Sequence, residues 1–554
     1  MIARRHLMVG ATAVLLWVAV GAVHAGSMVE RPLDPVSEQI RDEVELLRAA
    51  QPGSPGDVVL AFYEQHQFAP AWTRPQDVDQ LLDALGHLDR DGLDPQDYSL
   101  AELQRGRAAL RDPRATARQR AQFDLLATDA CLTALLHLSR GKVDPATLDP
   151  GWNIEAAPFD RSDGMRWVRD ALSQERVGAL FERARPHHPL YDELRMALAQ
   201  LRKIAAQGGW PMLEPGDTLE PGARDPRVPA LRQRLSLGGF VVGDPEVADL
   251  YAPVLQAAVR QFQQEQYLLV DGRVGAATRA ALNVTTAARI DQVRANLERS
   301  RWLLHQLRGN FVMVDIAGYT VAYYEDGRPV WHARAQVGKP YRRTPVFKSQ
   351  ITYLTLNPTW TVPPTILRHD VLPKVRRDPG YLAANRIRVL DQQGRTLAPS
   401  SVDWNQPRGI VLRQDSGPGN ALGRLAIRFP NPYSVYLHDT PHQALFANEQ
   451  RANSSGCIRV ERARELAVLL LNAPTAWDRL ALDRAIDTNR TQTVMLRQPV
   501  PLLLAYWTVE LRDGDRLAYR PDVYRRDATL LAALQRPRSS RLPPSGAAAM
   551  PAGH

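Results

Sequence analysis

The sequence predicts a multidomain α+β chain: a helical domain, a small three-helix domain, then a β-rich domain interrupted by an insertion. Three observations carry this. The chain has 554 residues, too many for one core when domains run about 100–200 residues. Its apolar periodicity is helical as far as Trp210 and shifts to a period of two after Asn310. Between them, Pro211-Met212-Leu213-Glu214-Pro215-Gly216 and Glu220-Pro221-Gly222 punctuate a boundary.

Taken in order, residues 1–25 read as a signal peptide. Arg4, Arg5 and His6 precede an apolar run from Leu7 to Ala22, and Val23-His24-Ala25 supplies small residues at the positions a signal peptidase reads. Cleavage after Ala25 and export are expected, with retention as a membrane anchor the alternative. Residues 26–56 read as a linker with a short amphipathic helix, Pro35 to Ala50, ended by Gln51-Pro52-Gly53-Ser54-Pro55-Gly56. The helical domain spans 57–222, with its clearest helices at Asp79–Leu88, Phe123–Leu138 and Tyr191–Ala206. Residues 223–286 give three short helices between glycine turns, and 287–309 a connecting helix.

The β-rich domain is set at 310–490. Phe311–Ile316, Thr320–Tyr324 and Trp331–Val337 alternate as strands, with Asp326-Gly327 as a hairpin signal, and more follow at Ser349–Leu356, Ala426–Phe429 and Ser434–Leu437. Residues 367–406 form a long mixed insertion, of the kind that serves as a lid or binding loop. Residues 491–535 return to strands and a helix, expected to pack on the helical or the β-rich domain. Residues 536–554, rich in Pro, Ser, Arg and Ala, read as a disordered tail.

A net charge of +9 without a Lys/Arg block argues against nucleic acid as partner, although it favours anionic envelope material. Two cysteines make no disulfide framework. Cys131 lies in a helix-like apolar run and reads as a small buried hydrophobe. Cys457, in Ser454-Ser455-Gly456-Cys457-Ile458-Arg459-Val460, has polar and small neighbours instead.

A thiol becomes a nucleophile only as thiolate, so it needs an imidazole, a cation or a helix N-terminus beside it. His438 ends an expected strand and precedes Cys457 by 19 positions, enough chain to loop out and return. Arg451 and Arg459 add positive charge, and a helix is expected from Glu461. Gly456 permits a sharp turn that frees backbone N–H groups at Gly456 and Cys457 to act as an oxyanion hole. A structural Cys–His pair stays open at this point. Zinc would need ligands beyond His438, His442 and Cys457, and no further cysteine or acid at a recognisable spacing completes a site. Ser454 and Ser455 lack a nucleophile-elbow pattern.

These residues resemble the active-site motif of bacterial L,D-transpeptidases: Tyr436-Leu437-His438-Asp439-Thr440, then Arg451 and Ser454 to Val460. Val337-Gly338-Lys339-Pro340, Thr344-Pro345, Asn357-Pro358-Thr359-Trp360, Pro363-Pro364, Gln414 and Gly417 to Gly423 agree with it. Leu231–Leu235, Tyr251, Phe262-Gln263, Asp271-Gly272 and Ala281-Leu282-Asn283 resemble the three-helix peptidoglycan-binding domain of the large, multidomain branch. Gly92-Leu93, Pro95, Asp97-Tyr98 and Gly208-Gly209-Trp210-Pro211 resemble that branch's helical scaffold domain, and residues 367–406 its capping subdomain. Ser455 departs from the commoner motif, which has histidine before Gly-Cys.

The resemblance implies a cofactor-free enzyme that joins peptidoglycan stem peptides in the periplasm and is acylated by carbapenems. Cys457 would be the nucleophile and His438 the general acid–base, with Gly456 contributing its backbone to the oxyanion hole. The implied donor is a tetrapeptide stem and the acceptor the side-chain amine of a diamino acid; other cell-wall enzymes are conceivable partners. Asp439 is expected to be structural. Arg459, Arg451, Tyr436, Ser455 and Trp360 are the candidate substrate-binding residues, although Tyr436 and Trp360 suit core packing better and Arg459 suits tying down the loop equally well. Hydrolysis of the acyl-enzyme, attachment of a lipoprotein to the wall, and a non-catalytic wall-binding scaffold are the alternatives.

Overall fold

The computed structural model describes residues 34–50, 56–244, 247–512 and 516–538. The expected signal peptide and nearly all of the expected tail lie outside them. Among the described residues no helix is long and apolar enough to cross a membrane.

The chain is a multidomain α+β protein. Its helical domain comprises α1 (Pro35–Ala50), α2 (Gly56–Gln65), α3 (Pro75–Gly86), α4 (Leu100–Ala109), α5 (Ala117–Arg140), α6 (Arg161–Gln174), α7 (Val177–Ala184) and α8 (Pro189–Ala206). Helix α5 starts at a reciprocal capping box, Thr116 with Gln119, which satisfies two otherwise orphaned N–H groups. The segment expected as a linker is a correction. Ile40 and Val44 of α1 are fully buried in the same core as Leu125, Leu135 and Leu138 of α5, so α1 is part of the helical domain. The small domain packs α9 (Val228–Leu237), α10 (Pro253–Glu265) and α11 (Ala276–Leu282) around Leu231, Leu235, Leu255, Val259, Phe262 and Leu282.

Helix α12 (Thr286–Leu303) is no mere connector, because both of its polar faces are buried. On one side Arg301 pairs with Glu298 at 2.5 Å and donates to the Asp91 carbonyl of the helical domain. On the other, Asn296 donates to Thr508 Oγ1 at 2.7 Å, and Gln292 to the Thr508 and Arg520 carbonyls at 2.8 Å each. Losing one partner would strand a buried polar group at a cost of about 1–3 kcal/mol, so these bonds fix the helical domain against the β-rich one.

The β-rich domain is a closed sheet. Its strands are β1 (Phe311–Asp315), β2 (Thr320–Glu325), β3 (Arg328–Gly338) and β4 (Phe347–Leu356), then β9 (Leu425–Arg428), β10 (Leu437–His438), β11 (Ala452–Ser454), β12 (Ile458–Val460) and β13 (Gln492–Ala505). Pairing runs β3-β12-β10-β9-β4-β13-β1-β2 and returns from β2 to β3, with β11 added on β3, so eight strands close a ring that has no free edge. Strand β13 pairs parallel with β1 and antiparallel with β4. The sheet therefore extends to Ala505, past the expected limit at residue 490.

The insertion is a small domain of its own: β5 (Trp360–Thr361), β8 (Ile410–Gln414), β6 (Ile387–Asp391) and β7 (Thr396–Leu397) make a second sheet in that spatial order. It encloses Val371, Val375, Leu382, Val389 and Leu412. It is wider than 367–406, because Trp360 pairs with Gln414 at its neck.

Candidate active site

The site is built on one face of three adjoining strands. Strands β10 and β12 run parallel with Leu437 opposite Ile458 and His438 opposite Arg459, while β9 lies antiparallel on the other flank with Ala426 opposite His438. Side chains alternate along a strand, so the fully buried Leu437 and Ile458 point into the barrel core. The opposite parity puts Arg428, Tyr436, His438, Cys457 and Arg459 together on the other face. The rings of Tyr436 and His438 lie 5.9 Å apart, and the Arg428 guanidinium stands 4.2 Å from the Tyr436 ring centre.

His438 is 4% exposed, and its Nδ1 lies 2.5 Å from the Asp439 carbonyl oxygen. A carbonyl can only accept, so Nδ1 carries the proton and Nε2 keeps its lone pair. Burial, followed by the Arg459 charge, holds the imidazole down at a pKa of about 3, against weaker support from the Asp439 and Leu422 backbone. It is a neutral base at any ordinary pH. The Asp439 carboxylate turns elsewhere, accepting from the Arg424 N–H at 2.9 Å and from Gln443 Nε2 at 3.0 Å.

Cys457 is partly exposed as a residue, but its sulfur sits deep enough that burial raises the thiol pKa; a backbone bond at Tyr436, then Arg428 and Arg459, work against that rise. The thiol donates to the Ser434 carbonyl at 3.7 Å. No hydrogen bond joins Sγ to His438 in this structure, so proton transfer from thiol to imidazole would require the thiol to turn from Ser434. Catalytic bonds are often loose before substrate binds.

The loop before the cysteine is held from several sides. Gly456 has φ +118°, which a side chain would disfavour. Its carbonyl accepts from Thr344 Oγ1 at 2.8 Å, and Ser454 Oγ donates to the Cys457 carbonyl at 2.6 Å. The Gly456 N–H, expected to serve an oxyanion hole, donates to Ser454 Oγ at 3.1 Å. The Cys457 N–H has no hydrogen-bond partner among the described residues and is the open donor.

Arg459 donates to Gln336 Oε1 at 3.1 Å and has no carboxylate partner among the described residues. Arg459 Nε and Gln336 Nε2 are both buried without a partner. Arg451 is a correction: it is 6% exposed, donates to the Asn448 and Tyr319 carbonyls, and lies 5.4 Å from the Tyr319 ring, so it ties down the loop instead of facing the site. Ser455 is exposed at the rim and accepts from Arg342 at 2.9 Å, and Arg342 also pairs with Asp370 of the insertion. Trp360 stands at the neck of the insertion, and its side chain works against the rise that burial imposes on the Tyr436 hydroxyl pKa. Among the described residues no group of three or more His, Cys, Asp or Glu side chains could hold a metal ion.

Arg428, Gln336 and Arg342 belong to this site and were not singled out from the sequence. For Arg428 a signal existed, since it shares the parity of Ala426 on its strand; Gln336 and Arg342 carry none that is local.

Fold and site together define a closed β-domain that mounts a histidine at the end of one strand and a cysteine just before the parallel strand beside it, next to a small inserted cap. Residues 309–481 match the family model of the L,D-transpeptidase catalytic domain, 224–282 that of a peptidoglycan binding domain, and 57–198 that of a scaffold domain. The chain therefore carries an L,D-transpeptidase catalytic domain, preceded by a scaffold domain and a peptidoglycan binding domain.

A protein of Haemophilus influenzae provisionally named an L,D-transpeptidase is 34% identical over 218 residues, which is 39% of this chain and 44% of that protein. The chain thus spans less than half of that relative. A crystal structure of an L,D-transpeptidase fragment from Xylanimonas cellulosilytica is 17% identical, over 53% of this chain and 99% of that one, with a TM-score of 0.16. A solved structure of an L,D-transpeptidase from Mycobacterium smegmatis is 16% identical, over 36% of this chain and 59% of that one, with a TM-score of 0.16.

Proposed function

We propose that the protein cross-links peptidoglycan stem peptides through a thioacyl-enzyme on Cys457. The observation that carries this is the shared face of β10 and β12, where Cys457 stands beside a neutral His438 whose Nδ1 is pinned to the Asp439 carbonyl. His438 Nε2 takes the thiol proton as sulfur attacks the carbonyl carbon of the third stem residue. The Cys457 N–H faces the resulting oxyanion. Collapse breaks the C–N bond, and the imidazolium returns its proton to the departing D-alanine amine. The side-chain amine of a diamino acid on a second stem then attacks the thioester; His438 accepts the amine proton and passes it to the leaving thiolate.

Arg459 is positioned to stabilise that thiolate or to meet a substrate carboxylate, and Trp360 and Tyr436 to line the donor cleft under the cap. The basic, apolar-cored segment at residues 1–25 supports export, which puts the reaction in the periplasm. Incubation with disaccharide tetrapeptide and mass spectrometry of the products tests the reading. Dimers joined between diamino acids are expected, and they disappear with Cys457→Ala while wall binding remains. Trimmed tripeptide without dimer would make water the acceptor; no product and no carbapenem adduct would refute acyl transfer altogether.

A further inference from the structure

Behind the catalytic loop lies a cavity of about 240 Å³, walled by the helical domain, α12 and the C-terminal segment. Four arginines line it, Arg299, Arg343, Arg525 and Arg526, together with Trp152 and Trp302, whose rings meet edge to face at 5.6 Å. Two of these cations are balanced: Arg299 by Asp527 at 2.6 Å and Arg526 by Asp149 at 3.2 Å. Arg343 and Arg525 have no carboxylate partner among the described residues, and Arg526 Nε is buried without any hydrogen bond. A cavity with two uncompensated positive charges, an open N–H donor and an indole wall is shaped for a small anionic ligand with an apolar flank.

We infer that this cavity binds the carboxylate-bearing end of a stem peptide, as a second contact with the wall polymer apart from the cysteine. The assignment rests on the cell-wall reading above. Its volume lies below the usual range of about 300–1,000 Å³ for ligand pockets, so it takes a peptide end and not a glycan strand. A stem peptide offers carboxylates on consecutive residues, which matches the two guanidiniums that lack a carboxylate partner; Arg343 spends only its Nε, on the Pro340 carbonyl at 3.1 Å. The cavity also adjoins the chemistry through the backbone, because Arg343 immediately precedes Thr344, whose hydroxyl holds the Gly456 carbonyl at 2.8 Å.

The test uses the full chain and the dipeptide γ-D-glutamyl-diaminopimelate, which lacks the bond that Cys457 would cleave. Binding is followed by tryptophan fluorescence and by calorimetry. Saturable binding is expected, weakened at least tenfold in the double variant Arg343→Gln/Arg525→Gln and weakened by salt. Both side chains are exposed, so the variant should keep its melting temperature. Equal affinity in the variant, or no saturable binding by the parent protein, overturns the inference. So does displacement of the dipeptide by inorganic phosphate at equal concentration, which would mark a phosphate site. Dipeptide binding by a protein that forms no cross-links would refute the proposed reaction and leave this site standing.

Discussion

The imidazole of His438 is oriented by the backbone carbonyl of Asp439, 2.5 Å from Nδ1, and by no carboxylate. This separates the two residues that the motif places side by side. His438→Asn should lower kcat by about 10²–10⁴-fold, the usual contribution of a positioned general base. Asp439→Asn should change it only a few-fold, since its carboxylate holds Arg424 and Gln443. Steady-state release of D-alanine from a tetrapeptide stem measures both; an Asp439→Asn loss as large as that of His438→Asn would make the carboxylate a triad member.

The same burial makes His438 a determinant of acid stability. Its folded pKa is about 3 against an ordinary value of 6.5, so the folded state refuses a proton that the unfolded chain accepts. The stabilisation is complete above pH 6.5 and is lost as pH falls toward 3. At 1.36 kcal/mol per unit, the loss at pH 5 is about 2 kcal/mol. Thermal melts of the parent protein and His438→Asn at pH 7 and pH 5 should show the variant losing less on acidification.

Arg342 joins the cap, through Asp370, to the cysteine loop, through Ser455. An ion pair this accessible is worth about 0.2–1 kcal/mol, too little to fix the fold but enough to bias a hinge at Trp360 and Gln414. Asp370→Asn should leave the melting temperature within a few degrees while increasing hydrogen exchange at residues 360–414 and raising KM for the donor. Exchange unchanged across the cap would show that the pair does not hold it.

Much of the site was legible because its chemistry is written locally: His438 ends a strand, and Ser454 to Val460 combine a turn glycine, a thiol and cations. What escaped was set by distant partners. The α1 helix looked like a linker because Gln51 to Gly56 interrupt it, and nothing nearby shows that Ile40 and Val44 will meet α5. Strand β13 looked like an appendage, since its parallel partner β1 lies nearly 200 residues earlier. Arg451 counted as an available cation until Tyr267 and Tyr319 closed around it, 5.7 and 5.4 Å away. Gly456 looked free to bind an oxyanion because sequence cannot show that the Ser454 hydroxyl folds back onto its N–H.

The two thiols offer the sharpest chemical test. Cys131 is fully buried in α5, and burial alone pushes it up to about 12. Cys457 is raised too, but it is partly exposed and has Arg428 and Arg459 nearby. Alkylation depends on the thiolate fraction, so neither should react quickly at pH 7, and Cys457 should quicken with pH through and beyond the ordinary thiol range near 8.5. A preformed thiolate–imidazolium pair would instead give a fast rate that is level from about pH 5 to 8, as in cysteine proteases whose thiol pKa lies near 3–4. Mass spectrometry after iodoacetamide treatment should find one label, on Cys457, until denaturant exposes Cys131. The His438→Asn variant should be alkylated with a similar pH profile, because in the resting site the imidazole holds no proton to stabilise the thiolate. A level, fast profile that collapses in His438→Asn would show that the ion pair exists before substrate arrives.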